Sequence, residues 1–362
     1  MVLPPLHRAL AELVRIPSLT GEEAAIADHV CARLDGAGVS FERDAENNVT
    51  AFLGPEGDDP LCLCGHLDTV PAGMGWDHDP LEPRVTDGVM TGLGVSDMKG
   101  GLALMLDVVT WDLKEPVVLS FVTNEEEGTQ EGTDGVTPFL ARYRPRAAVV
   151  LEPTVVDGRL MVEAGCQGDL VARYVFEGRA AHSSRPELGD NAITKAVRLM
   201  AEVERRATGL RPIPLHSGMT VNPSLAVTIV DAGIQSNVIP DRATVTVNRR
   251  VAPVEDMEDV MEGLAALGPA EFPLVCPGYV LPEGDVFLGE VLDACRRTLG
   301  YARPYCSRGW GDTAEFAAAG IPAVSLGPGI LRACHEPNEP CMLADLDRCK
   351  AVLERLLGGA AP

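Results

Sequence analysis

The sequence predicts an α/β protein: a mixed, mostly parallel sheet flanked by helices, with a smaller α+β domain inserted into it. Three observations lead there. Short apolar runs, LCLCG at 61–65, VVLSFVT at 117–123 and AAVVLE at 147–152, have the composition of strands covered on both faces. Amphipathic helical patterns alternate with these runs, as they do in α/β folds. Near Gly168 the rhythm changes to β-α-β-β-α-β, and after Pro277 the alternation resumes.

Taken in order, LHRALAELVRI (6–16) and EEAAIADHVCARLDGAG (22–38) read as amphipathic helices, the second ending at Gly36 and Gly38. The three apolar strands follow, with the helical pattern GGLALMLDVVTWDL (100–113) between the first two. In the middle of the chain, 170–177 reads as a strand, 191–206 as a helix, 224–231 and 243–250 as strands, 255–267 as a helix and EFPLV as a strand. That order is ferredoxin-like. A helix near 285–299, another from Asp312, the strand PAVSL (322–326) and a last helix over 343–357 complete the chain. The expected division is therefore 1–167 and 277–362 as one discontinuous domain, with 168–276 inserted.

Composition limits the function classes. A chain of 362 residues, 46% apolar and 23% charged, has ordinary globular proportions and fits two domains. A formal charge of -23 argues against nucleic acid and membrane surfaces as partners, since both need a basic footprint. No uninterrupted apolar stretch approaches a membrane span, and the opening MVLPPLHRALAELVRI reaches Glu12 and Arg15 too early for an export signal. A cytoplasmic protein is expected. Ten cysteines without a CxxC pair read as reduced thiols, with Cys62 and Cys64 in a buried strand.

The chemistry-bearing residues stand where strands should end. His66 and Asp68 follow LCLCG in HLDTVP, Asp97 opens the helix that begins at SDMKGG, and Glu125, Glu126 and Glu127 follow VVLSFVT. Glu152 ends AAVVLE before Pro153, and His335 lies in GPGILRACHE after PAVSL. The carboxyl ends of strands in an open α/β sheet converge on one crevice, so these scattered groups can meet. Several carboxylates together repel one another and raise each other's pKa values unless a cation is present. Two imidazoles and carboxylates without cysteine suit zinc, and also cobalt or manganese. With one carboxylate shared, they can hold two ions that activate a water and polarise a carbonyl.

Taken singly, each motif has a plainer explanation. A histidine after a strand is commonly structural, and a glutamate triplet is commonly a solvated charge run. Gly92-x-Gly94-x-x-Asp97 begins like a dinucleotide fingerprint but lacks the third glycine. Their recurrence at successive strand ends favours the joint reading.

The ordered set GHLDTVP, GLGVSDMKGG, TNEEEG, LEPT and GPG…CHEPNE resembles the zinc metallopeptidase-like amidase family of acetylornithine deacetylase, succinyl-diaminopimelate desuccinylase and glutamate carboxypeptidase. The resemblance extends through AAHSSRPELGDNAI and QSNVIPDRATVTVNRR and covers nearly the whole chain. It implies a dinuclear zinc aminopeptidase-like catalytic domain and makes the insertion a lid and dimerisation domain. It further implies two divalent ions per chain, zinc with cobalt as an alternative. His66, Asp97 and Glu152 would bind one ion and Asp97, Glu126 and His335 the other. Asp68 would accept the second ring hydrogen of His66. Glu125 would be the general base, on the family pattern Asn124-Glu125-Glu126-Glu127-Gly128. His182 would steady the oxyanion in the active site of the partner subunit of a homodimer. Asn237 and Arg250 would contact the carboxylate of the substrate, a small N-acyl amino acid. EAGCQGDL, SNVIPD and TVTVNRRVAP resemble one bacterial subgroup of desuccinylases. HSSRPELGDNAI and LEPT equally resemble deacetylases of acetylornithine or acetylcitrulline. In other desuccinylases an arginine near the position of Gln167 helps hold the succinyl carboxylate, so the acyl group stays open, with succinyl-diaminopimelate slightly favoured over acetylornithine or acetylcitrulline and a dipeptidase or glutamate carboxypeptidase after them.

Overall fold

Cys62 and Cys64 point to one face of a strand and Leu61, Leu63 and Gly65 to the other, and all five are buried. A strand so composed is stable only in the interior of a sheet with both faces covered, and that is its place. The computed structural model describes residues 3–127 and 135–359; Gly128, the last residue of the acidic motif, lies outside them. Leu61–His66 pairs in parallel with Val117–Val122 on one side and with Ala147–Val156 on the other. Ala323–Ile330 adds a fourth parallel strand beside Ala147–Val156. Antiparallel strands finish the edges: Val49–Leu53 and Phe41–Arg43 beyond Val117–Val122, and Val162–Cys166 beyond Ala323–Ile330.

The chain divides into two compact units. The first comprises Met1–Ala164, Leu281–Tyr305 and Gly311–Pro362 and holds this sheet; the second comprises Gly165–Val280 and Cys306–Trp310. In the first, Cys62, Cys64, Val118, Val122, Ala148 and Val150 form one core face with Phe139 and Phe316. The opposite face receives the helix Lys99–Val108, and glycines set its distance. A Cβ on Gly65 would stand 2.6 Å from Met98 Cε, and one on Gly101 would stand 2.4 Å from the Leu151 carbonyl. Without those side chains the helix lies directly on the strands of His66 and Glu152, and Asp97, just before it, reaches both.

The second unit is built on an antiparallel sheet in the order Ser224–Ala232, Arg242–Val251, Gly168–Glu177, Ala270–Cys276. With the helices Ala192–Gly209 and Met257–Ala265 this is the ferredoxin-like order. Buried and partly covered residues alternate along Arg242–Val251, and the buried set, with Leu170, Tyr174, Leu199 and Val203, makes the core. Asn191 caps the first helix through the N–H groups of Ile193 and Thr194, and Asp256 caps the second. The segment 306–310 joins this unit by hydrogen bonds from the Gln167 N–H to the Ser307 carbonyl and from Trp310 Nε1 to the Pro277 carbonyl.

Two element boundaries differ from those the sequence suggests. The strand of Glu152 continues past Pro153 to Val156, because pairing with Ala323–Ile330 persists to Val155 after pairing with Leu61–His66 has ended at Val150. The helix read over 100–113 ends at Val108, and Trp111 instead folds back to bond Asp107. All ten cysteines are free thiols. Among the described residues, no helix is long and apolar enough to cross a membrane.

Candidate metal centre

His66 is the last residue of its parallel strand, and its ring is wholly buried. Its Nε2 lies 3.1 Å from Asp97 Oδ1 and 3.3 Å from Glu152 Oε1. The other oxygen of Asp97 faces a second set: His335 Nε2 is 3.4 Å from Asp97 Oδ2 and 2.9 Å from Glu126 Oε2. The five residues therefore form two triads that share Asp97. The donor atoms of His66, Glu125 and Glu152 also lie within 4.8 Å of one another, which puts Glu125 beside the first triad.

The turn of Glu125 and Glu126 is held from behind. Asp68 Oδ1 accepts the Glu125 N–H at 3.2 Å, and Oδ2 accepts the Glu126 N–H at 3.1 Å and the Thr20 hydroxyl at 3.0 Å. Asn48 Oδ1 accepts the Thr123 N–H, and Glu23 Oε1 accepts the N–H groups of Gly21 and Asn124. These bonds fix Asn124 in the left-handed region, at φ 58°, and turn the two glutamates inward. His335, at φ 64°, makes the corresponding turn after Ala323–Ile330.

Two groups of Asp68 face His66 Nδ1: the main-chain carbonyl at 3.0 Å and the carboxylate at 3.5 Å. The same carboxylate accepts the two glutamate N–H groups. Asp68 thus meets the His66 ring and holds the Glu125–Glu126 turn.

The electrostatics are those of an anionic pocket. Burial, then Asp97, pushes Glu152 up to about 7. Burial, with Glu152, Asp312 and Glu126, pushes Glu125 well above the ordinary carboxylate range against the pull of His66. Hydrogen bonds to Asp97 and Glu126 raise His335 to about 10. Burial opposes charge on His66, yet Glu152, Asp68 and Asp97 together lift it well above an ordinary histidine. Against the same burial, the two histidines hold Asp97 below the usual range. Such a set suits a divalent cation, which relieves the repulsion among the carboxylates. The geometry suits it too. In a tetrahedral zinc site with bonds of about 2.0–2.1 Å, donor atoms stand about 3.3 Å apart, close to the separations within both triads. Glu126 Oε1 is buried and has no hydrogen-bond partner among the described residues, as an oxygen reserved for a cation would be.

The second-unit candidates lie among themselves. Ala181–His182 pairs with Val238–Ile239, and the Ser183 N–H donates to the Asn237 carbonyl at 2.9 Å, so His182 and Asn237 share one small ribbon. His182 Nδ1 accepts the Ser184 N–H at 3.2 Å, which leaves the ring proton on Nε2. Arg250 is not part of that ribbon. It lies on Arg242–Val251, with Nη2 at 3.0 Å from Asp169 Oδ2.

Sequence reasoning missed Glu339. It is 2% exposed, and its carboxylate accepts N–H groups from Gly94, Ser96 and Asp97. It closes the motif CHEPNE that carries part of the family resemblance, but the motif drew attention to His335 and gave Glu339 no role. Sequence reasoning also missed Asp312, buried behind Glu125, which accepts the Val136 N–H at 3.0 Å.

Comparison with known proteins follows this geometry. The model of peptidase family M20/M25/M40 matches residues 62–358. A succinyl-diaminopimelate desuccinylase of Corynebacterium glutamicum is 32% identical over 365 residues, 95% of this chain and 94% of that protein. Another protein of that name, from Methylorubrum extorquens, is 30% identical over 390 residues, 98% of each chain. Among solved structures, a Staphylococcus aureus tripeptidase superposes with a TM-score of 0.78 at 19% identity, over 98% of this chain and 97% of that one. A Sulfolobus solfataricus M20 family metallo-carboxypeptidase gives 0.75 at 18% identity, over 98% and 99%.

Proposed function

Since this chain belongs to peptidase family M20/M25/M40 and is a metal-dependent hydrolase of amide bonds, we propose that its substrate is an N-acylated amino acid, with N-succinyl-diaminopimelate favoured. The observation that carries the reading is the pair of triads sharing Asp97. The succinyl substrate is supported by the names of relatives similar over nearly the whole chain.

His66, Asp97 and Glu152 would hold one divalent ion, and Asp97, Glu126 and His335 the other, with zinc the metal and cobalt the alternative. Bound there, the ions lower the pKa of water and polarise the scissile carbonyl. Glu125 takes the proton of the attacking water and delivers it to the leaving amine. Burial supports this role, because it raises the proton affinity of Glu125 above that of an ordinary carboxylate. His182 would donate its Nε2 proton to the oxyanion, and the tautomer set by Ser184 supports that. Asn237 and Arg250 would bind the substrate carboxylate, Arg250 through the guanidinium hydrogens that Asp169 leaves free.

A homodimer through the inserted unit belongs to the same reading. Ser224–Ala232 is an edge strand with Ile229 61% and Val230 49% exposed. Such an edge is a template for pairing with a second copy. His182 would then serve the active site of that copy. A fully active monomer in sedimentation and assay would remove this role.

A second reading, removal of an acetyl group from ornithine or citrulline, is favoured by Gln167. This residue is 1% exposed with neither side-chain polar atom bonded among the described residues, and it supplies no cation for a succinyl carboxylate. A hydrolysis panel on zinc- and cobalt-loaded protein, with N-succinyl-diaminopimelate, N-acetylornithine, N-acetylcitrulline and dipeptides, separates the two. Preference for the succinyl compound supports the first reading, and preference for an acetyl compound replaces it with the second. Cleavage of dipeptides alone overturns both.

A further inference from the structure

The loop 92–97 carries the one residue shared by both triads, yet it contains no strand or helix to hold it. Glu339 does that work from the other side of the site. Its Oε2 accepts the Gly94 N–H at 2.8 Å, and its Oε1 accepts the Ser96 N–H at 2.7 Å and the Asp97 N–H at 2.9 Å. Its own carbonyl accepts the Gly92 N–H at 3.2 Å. Ser96 closes the attachment: its hydroxyl donates to the Pro340 carbonyl at 2.8 Å and accepts the Ile330 N–H at 2.9 Å. The loop of Asp97 is thereby fastened on both sides of the turn that carries His335, four residues before Glu339.

This is a costly arrangement for stability alone. Glu339 is a buried carboxylate in the neighbourhood of Asp97, another anion. The buried Lys99 is near, but its Nζ donates to the Ile16 carbonyl. The charge of Glu339 is met instead by successive backbone N–H dipoles, the manner of an anion nest. Gly94 makes the nest possible. It sits at φ 75°, and a Cβ there would stand 2.8 Å from Thr69 Cγ2.

We infer that Glu339 is a positioning residue of the metal centre: by gathering the N–H groups of Gly94, Ser96 and Asp97 it aims the two Asp97 oxygens into the two triads, and so sets metal affinity. The inference rests on the reading of Asp97 and His335 as metal ligands. It goes beyond that reading by assigning the geometry of Asp97 to a residue that touches no metal.

The test is Glu339→Gln beside the unaltered protein and Asp97→Asn. Zinc affinity is measured by competition with a chelator, and coordination by the visible spectrum of the cobalt form. A glutamine keeps the shape but offers the three N–H groups one acceptor oxygen and an opposing NH₂. Glu339→Gln is expected to fold, to bind zinc about 10–100-fold more weakly and to shift the cobalt spectrum. If it does not fold, Glu339→Asp, which keeps the charge and withdraws the oxygens, is expected to change both readouts in the same direction. A lowered unfolding temperature with zinc affinity and cobalt spectrum unchanged would mean that Glu339 is only structural and would overturn the inference. Should Asp97→Asn also bind zinc normally, the ligand reading itself fails. Metal loss in Asp97→Asn with normal binding in the Glu339 variant refutes the positioning role alone.

Discussion

Five side chains from five separate segments of the first unit meet across 2.9–3.4 Å, while the candidates of the second unit bond only to neighbours on their own sheet or ribbon. The contrast lies in what stands behind each residue. Behind Glu126 is Asp68, itself held by the Thr20 hydroxyl, and behind Asp97 is Glu339, each carboxylate accepting backbone N–H groups. Behind His182 there is Ser184, and both are exposed. One unit has its chemistry assembled in advance. The other carries polar groups whose proposed tasks call for a substrate or a second copy. Rigid support is what a reacting centre requires, since small misplacements cost rate steeply.

The comparison is broken most severely by removing the proton acceptor proposed for the first unit. Glu125→Gln keeps the bonds from its backbone to Asp68 and is expected to retain metal and fold while turnover falls about 100- to 10,000-fold. Metal analysis and steady-state kinetics on the same preparation check this, and undiminished turnover would withdraw the role. In the second unit His182→Ala is expected to lower kcat about 100- to 1,000-fold. Metal content and the unfolding transition should stay unchanged, because the ring is exposed and, among the described residues, is hydrogen-bonded to Ser184 alone. An accompanying loss of metal would show that the two units are not separable in the way described.

The smallest effect concerns the core of the second unit. Tyr174 is wholly buried, donates to the Leu264 carbonyl at 3.0 Å, and is pushed by burial up to about 12. The native state therefore keeps a proton that the unfolded chain loses near pH 10. The stability from this group is complete below about pH 10 and declines as pH rises toward 12, by up to about 2 kcal/mol. Urea unfolding from pH 8 to 11.5 would record the slope. Tyr174→Phe is expected to remove the Tyr174 share of the slope, leaving that of the buried thiols, and to cost about 1 kcal/mol at neutral pH.

The sequence carried the metal-ligand candidates because four of them are histidines or acids at or beyond a parallel strand and the fifth, Asp97, opens a helix, where residue type and element position can both be read. The ferredoxin-like unit was legible for a similar reason: its strand and helix periods change in a recognisable order. What could not be read were the bonds that hold the loops. Glu339 reaches Asp97 across 242 residues. Glu23 reaches Asn124 across 101. Both bonds depend on turns at Gly94 and Asn124 with positive φ, which no spacing rule supplies. The double duty of Asp68 was hidden for the same reason, since its carboxylate also takes the backbone N–H groups of Glu125 and Glu126.

The central claim is that two triads sharing Asp97 make a two-ion centre. Elemental analysis of protein loaded with zinc and freed of excess by gel filtration tests it directly. The account requires two ions per chain. One ion, or none, from protein with an intact fold would contradict it.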